Sequence, residues 1–135
     1  MLAVANGEVT RADHNYEEMS PVVYEAAISR TVREHRTPPD LSDAFLGRQV
    51  HVQHENGIMS RYSHLSAVAE NIEEASGVLA GTPVGRVGVS GTSAGAYGTG
   101  DGVHLHYEIW IDGRYLGQGL SLYETMRLWQ AIFNN

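Results

Sequence analysis

A chain of 135 residues with 42% hydrophobic side chains can bury one compact core, and its formal charge of −7 leaves no basic track for nucleic acid or an anionic membrane surface. All nine cationic side chains are arginines. Cysteine is absent, which excludes thiolate metal sites, disulfides and cysteine nucleophiles and leaves His, Asp and Glu as metal-binding types.

Leu2 to Ala5 and Glu8 to Ala12 read as extended stretches about Asn6-Gly7, a strong hairpin signal because both residue types accept positive φ. Ser20-Pro21 then offers an N-cap followed by a first-turn proline. Val22, Val23, Ala26, Ala27, Ile28 and Val32 recur at helical spacing until Pro38-Pro39, which predicts one amphipathic helix over 20–36. Asp40 to Leu46 adds a short helical turn closed by Gly47. The pattern next becomes alternating, with Val50 and Val52 against Gln49, His51 and Gln53, a turn at Glu55-Asn56-Gly57, and a second strand over Ile58 to Ser63.

Residues 66–77 are ambiguous: Ala67, Val68, Ile72 and Ala75 fit a helical face, yet Gly77 and Ala80-Gly81-Thr82-Pro83 read as turns before a strand over Val84 to Val89. Gly91 to Gly102 is expected to be a glycine-rich loop. His104 to Ile111 is a strand, Asp112-Gly113 a hairpin turn, and Ser121 caps a terminal helix over 121–133. Its Leu122, Met126, Trp129 and Phe133 form an apolar stripe that is expected to dock on the domain or on a second protomer. Short antiparallel strands, tight turns and peripheral helices indicate a mainly β, α+β domain. No run approaches the roughly 20 apolar residues of a membrane span, and no export signal is read at the start.

The most informative motif is His104-Leu105-His106, because the two-residue period of a strand points both imidazoles to one side. Neutral imidazole is the commonest protein ligand for zinc, so the pair suits a metal site, although two histidines on a polar strand face fit equally. Glu108 shares that face, either orienting a site histidine or standing as a surface carboxylate. His64 lies at a strand end after Tyr62. His51 and His54 are at odd separation and face opposite ways, while His14 and His35 are read as solvated. Gly91-Thr-Ser-Ala-Gly95 matches the G-x-S-x-G nucleophile elbow, but an elbow needs a helix directly after the serine, and loop is expected there.

Taken together, Ala3-Val-Ala-Asn-Gly-Glu-Val9, Val50-His-Val-Gln-His-Glu-Asn-Gly57, Tyr62-Ser-His-Leu-Ser66, Gly81-Thr-Pro-Val-Gly-Arg-Val-Gly-Val-Ser-Gly-Thr-Ser93 and Gly102-Val-His-Leu-His-Tyr-Glu108 resemble the lysostaphin-type zinc endopeptidases, which cut peptide cross-links in bacterial peptidoglycan. The resemblance runs over most of residues 2 to 113. It implies a compact two-layer antiparallel β domain with a groove and one zinc ion, and a single domain over 1–135 that carries a helical insertion at 15–46. It also implies that His106 is a metal ligand and that His64 and His104 assist catalysis. Zinc lowers the pKa of bound water toward about 7, and imidazoles beside it take its proton. A cell-envelope or extracellular location and a peptidoglycan peptide or cell-wall hydrolase as partner are likewise implied.

The family's other two ligands come from an H-x-x-x-D motif lying before the strand that here begins at Leu2, so the chain reads as truncated at its N-terminus relative to the family. Asp13-His14 does not replace it by spacing. Three readings stay open: a peptidase domain lacking its first ligand motif, a non-catalytic binder of cell-wall peptide or of a partner hydrolase, and a remodelled metal site using His64, His104 and His106. Self-association through the insertion or the terminal helix is compatible with each.

Overall fold

The structure, a computed structural model, describes residues 1–133 apart from the Phe133 side chain. Its elements in chain order are β1 (Gly7–Ala12), α1 (Pro21–Glu34), α2 (Pro39–Leu46), β2 (Val50–Gln53), β3 (Ile58–Ser63), β4 (Leu65–Val68), β5 (Gly77–Val78), β6 (Gly85–Val87), α3 (Ser93–Tyr97), β7 (His106–Ile111), β8 (Arg114–Tyr115) and α4 (Leu122–Phe133). Six strands form an antiparallel sheet in the order β5-β1-β2-β3-β7-β8, and β4 and β6 form a second, two-stranded layer. The expected mainly β, two-layer architecture is what forms. Among the described residues no helix is long and apolar enough to cross a membrane.

The two layers close on one core. Val9, Val50, Val52 and Tyr62 from the large sheet meet Leu65, Val68, Ile72, Val78 and Val84. Tyr62, Leu65 and Ile72 are each under 2% exposed, and full burial of such side chains stabilises by about 1.5–3 kcal/mol apiece. The sheet's other face is polar because alternation sends every second residue there. Arg11, His51, Arg61 and Glu108 stand opposite one another across β1, β2, β3 and β7. Arg11 reaches that row through a β-bulge between Val9 and Arg11, which breaks the alternation that would otherwise put both on the core side.

Several local expectations change. Leu2 to Ala5 makes no hairpin with β1: it crosses to residues 81–84, with a bridge from Leu2 to Pro83 and Ala3 N–H donating to Thr82 O at 2.8 Å. Asn6 and Gly7 are not in the positive-φ conformation a tight hairpin needs, and the Asn6 side chain instead accepts from Ala80 N–H at 2.8 Å. Residues 66–77 form β4 and turns rather than a helix, with Ile72 buried and Ala75 at φ +65°. Leu122 and Met126 are exposed, at 78% and 53%, so the terminal helix does not dock by them. Of the stripe's described side chains Trp129 reaches the sheet, edge-on to Tyr107 with ring centroids 5.9 Å apart, and the Phe133 side chain lies outside the described residues. The cap is as expected, with Ser121 and Glu124 exchanging hydrogen bonds in a capping box.

The helical segment 15–46 is seated on the glycine-rich stretch 88–95. Ser20 caps α1, and His35 ends it in the left-handed conformation. α2 then ends at Gly47, packed against Ser90 so closely that a Cβ would overlap its carbonyl. A Cβ on Gly91 (φ +74°) would lie 2.5 Å from Gly47 N and 2.6 Å from Phe45 O. Gly91→Ala should therefore cost about 3 kcal/mol, adding overpacking to left-handed strain, whereas Gly100→Ala, at φ +71° in open space, should cost about 1 kcal/mol. Urea denaturation of both variants checks the gap, and equal costs would contradict this seating.

Candidate functional site

β3 ends at Ser63, and the chain turns at His64 into the second layer, with His64 in the left-handed region at φ +59°. Holding a non-glycine residue there costs about 1–3 kcal/mol, so the neighbourhood must impose it. His64 N–H donates to Leu46 O at 3.0 Å, and the imidazole Nδ1 lies 2.8 Å from Ser90 O. Ser90 is itself fixed, since its Oγ accepts from Arg48 N–H at 2.9 Å. The histidine is 7% exposed.

The other two imidazoles arrive from β7. Ser63 pairs with His106 in the β3–β7 ladder, so the strand after the glycine-rich stretch delivers its histidines beside the end of β3. His104 precedes that strand and is bridged to Gly88. Ring centroids of His64 and His104 are 4.8 Å apart, and those of His64 and His106 are 5.6 Å apart in an edge-on arrangement. The three histidines singled out by sequence thus meet in one place. His51 and His54 do not join them: His51 Nε2 lies 2.9 Å from Gln49 Oε1, and His54 sits between Asn6 O and Ser60 Oγ at 2.8 Å each. Asp13 binds Arg11 and Gln49 N–H, and His14, read as solvated, lies 2.6 Å from Ile72 O through Nε2.

The hydrogen-bond partners determine the proton positions of the neutral rings. A carbonyl only accepts, so His64 and His104, whose Nδ1 atoms face Ser90 O and Gly102 O, carry the proton on Nδ1 and leave Nε2 as a lone pair. Glu108 Oε1 lies 2.9 Å from His106 Nε2, and an ionised carboxylate also only accepts. His106 therefore exposes its lone pair at Nδ1. Burial holds the His64 imidazole below its ordinary pKa, aided by His104 and His106 and opposed by the Ser90 carbonyl and Glu18. The hydrogen bond to His106 keeps Glu108 below the usual carboxylate range against the cost of burial, with Trp110 and Arg61 adding to the effect. Such rings can accept protons from a substrate or from water.

As donors for zinc these residues fall short. A catalytic zinc takes three protein ligands, and among the described residues no group of three or more His, Cys, Asp or Glu is arranged to hold a metal. Of the three, only His106 is backed by a carboxylate, the usual support of a ligating imidazole.

A cavity of about 460 Å3 is walled by Tyr16, Glu18, Arg48, Ser66, Val87 and Val103; the three histidines are not in its lining, which instead includes Leu65 and Val103, their chain neighbours, and Ser90, whose carbonyl holds His64. Sequence reasoning did not single out Tyr16 or Glu18, because nothing in 15–20 is periodic, nor Arg48, which stands just before the alternating strand. The Glu18 carboxylate accepts from Gly91 N–H at 3.0 Å and from Tyr16 O–H at 2.9 Å, which straps the start of the helical segment across the glycine-rich stretch. A Cβ on Gly95 would lie 2.5 Å from Glu18 Oε2, so the glycine is needed for that contact. Ser93 requires a correction. α3 does begin there, capped by Thr92, whereas loop was expected. Even so, no hydrogen bond joins Ser93 to a histidine among the described residues, so the serine has no base in contact with it.

A sequence profile of Peptidase family M23 matches residues 1–117. Among solved structures, one in the SpoIIQ-SpoIIIAH pore forming complex is 23% identical with a TM-score of 0.53, covering 84% of this chain and 50% of that one. A putative glycyl-glycine endopeptidase, lytM from Ruminococcus gnavus, is 21% identical with a TM-score of 0.53, covering 93% of this chain and 39% of that one. The catalytic domain of a mutant of the prophage-encoded M23 protein EnpA from Enterococcus faecalis is 18% identical with a TM-score of 0.51, covering 86% and 64%. These identities show a shared fold, and the chain spans less than two thirds of each of those structures. No curated protein sequence matches the chain.

The polar row makes folding sensitive to acid. Burial, and then the charges of Arg61 and Arg11, push the His51 imidazole down to about 4, opposed by Asp13 and Asp43. Below its ordinary value of 6.5 the unfolded chain takes up a proton that the folded chain refuses. Stability should fall as pH drops from 6.5 toward 4, and His51→Gln should flatten that slope, leaving the contribution of His64 in the same direction. Urea midpoints across this range check it, and an unchanged slope in the variant would count against it.

Proposed function

The chain belongs to Peptidase family M23, and on that premise we propose that residues 1–135 form a peptidoglycan-peptide cleft whose floor is the His64, His104 and His106 cluster. The observation that carries this reading is the convergence of three imidazoles, with His64 4.8 Å from His104 and 5.6 Å from His106 by ring centroid, joined through Ser90, the partner of His64, to the cavity walled by Tyr16, Glu18 and Arg48. His64 and His104 are the proton-handling pair, since the carbonyl partner at Nδ1 leaves each Nε2 as a lone pair in the neutral ring. His106 stands where the family resemblance puts a zinc ligand. One donor does not complete a catalytic zinc site, so hydrolysis is not assigned to these residues alone: the cleft binds and orients a peptide. A partner cell-wall hydrolase is the alternative occupant, and the family resemblance supports a cell-envelope setting for both.

The intact proton positions on His64 and His104 favour one second reading. In it, donors from outside residues 1–135 complete a zinc site with His106, and the same two imidazoles serve peptide hydrolysis.

Calorimetric titration separates these. The chain should show no sub-micromolar zinc binding. It should bind soluble peptidoglycan peptides, and His64→Ala or His104→Ala should weaken that binding about tenfold, or 1.4 kcal/mol. Sub-micromolar zinc binding lost in His106→Ala, together with peptide cleavage, would overturn the binding-only reading. Absence of any peptide binding would overturn the cleft itself.

A further inference from the structure

Glu108 and Trp110 sit on the same face of β7 as His106, because residues two apart in a strand point the same way. The Trp110 indole Nε1–H donates to Glu108 Oε2 at 2.7 Å, while Glu108 Oε1 lies 2.9 Å from His106 Nε2. Each carboxylate oxygen therefore serves a different neighbour. Arg61, directly opposite Glu108 in the β3–β7 register, lays its guanidinium over the Trp110 ring at 4.0 Å and brings Nη1 to 3.8 Å from Glu108 Oε2. The Glu108 side chain is only 14% exposed, so little water competes for its oxygens.

We propose that Glu108 and Trp110 are positioning residues which fix His106 in the Nε2–H tautomer and so select Nδ1 as the nitrogen that the cleft can use. An indole N–H can only donate, so Trp110 claims one carboxylate oxygen as an acceptor and leaves the other for His106. His64 and His104 differ in kind, because backbone carbonyls set their tautomers and no side-chain substitution removes those partners. The role matters to function through the proposed cleft, but the tautomer belongs to the free chain and is measurable without peptide or metal.

The arrangement predicts a reversal. In Glu108→Gln the side-chain carbonyl must face Trp110, which turns the amide NH2 toward His106. A donor at that place obliges His106 Nε2 to accept, which moves the ring proton to Nδ1. Long-range 1H–15N correlation spectra of the labelled full chain, recorded at alkaline pH where the rings are neutral, read the tautomer directly. The wild type should favour Nε2–H at His106 by about tenfold or more, given the strength of a hydrogen bond to a charged group. Glu108→Gln should invert that preference. Adding Trp110→Phe should weaken that inversion, since Arg61 Nη1, 3.8 Å from the Oε2 position, is then the remaining donor that holds the carbonyl away from His106. A wild type with Nδ1–H at His106 would overturn the proposal whether or not the variants fold, and so would a folded Glu108→Gln variant that keeps Nε2–H. If peptide binding is absent from the wild type while the tautomers behave as stated, the cleft reading falls and the positioning role stands.

Discussion

The structure depends on a single strained corner. His64 occupies the left-handed region between β3 and β4, at the point where the chain leaves the large sheet for the small layer. Its backbone N–H is held by Leu46 O and its ring by Ser90 O, one acceptor from the end of the helical segment and the other from the glycine-rich stretch. The same turn lets Leu65, immediately after it, enter the core fully buried. An isolated chain would not pay for that conformation, which costs about 1–3 kcal/mol. It persists because two otherwise separate parts of the fold are packed on either side of it.

That dependence gives the helical segment a purpose beyond covering surface. α2 contributes Leu46 O to His64, and its Asp43 carboxylate accepts from Arg11 at 2.5 Å and from buried Gln49 at 3.0 Å. The segment therefore grips both the start of β2 and the corner that presents His64. The grip demands close backbone approach, which explains why the glycine-rich stretch carries glycine at 91 and 95: a side chain at either position would strike Phe45 O or Glu18. A stretch that resembles a nucleophile elbow in sequence is in fact a seat for another part of the fold.

What could be read from the sequence follows a physical division. Patterns with a local cause were legible: the Ser20-Pro21 helix start, the stop at Gly47, the Asn56-Gly57 and Asp112-Gly113 turns, and the alternation of β2, β3 and β7. The pairing of His104 with His106 needed only the strand period, and the addition of His64 came from the family resemblance. The failures have non-local causes. Asn6-Gly7 looked like a hairpin because turn chemistry is local, but residues 1–5 find better partners at 81–84. The α4 stripe implied docking, yet among its described side chains Trp129 alone meets an aromatic ring on β7. Short α3 was missed because its start depends on Thr92 capping a five-residue helix, too short to show a period. Glu18 was invisible for a similar reason, since Gly91, the partner through which it straps the fold, lies more than 70 residues away.

The location of the site then follows from register rather than from any residue's chemistry. Ser63 lies opposite His106, and Arg61 lies opposite Glu108. A slip of one residue between β3 and β7 would send the H-x-H imidazoles to the core side and bring Tyr107 out to the polar face. Tyr107 resists this, because it pairs with Tyr62 across the same ladder at 5.2 Å between ring centroids and packs against the buried cluster. Core packing on one face therefore fixes the order Arg11, His51, Arg61 and Glu108 on the other. Within that row two arginines flank one histidine and face one carboxylate, so Glu108 meets cationic Arg61 across the ladder and His106 along its own strand. The apolar residues of β3 and β7 choose the register, and through it they decide which imidazole receives the carboxylate.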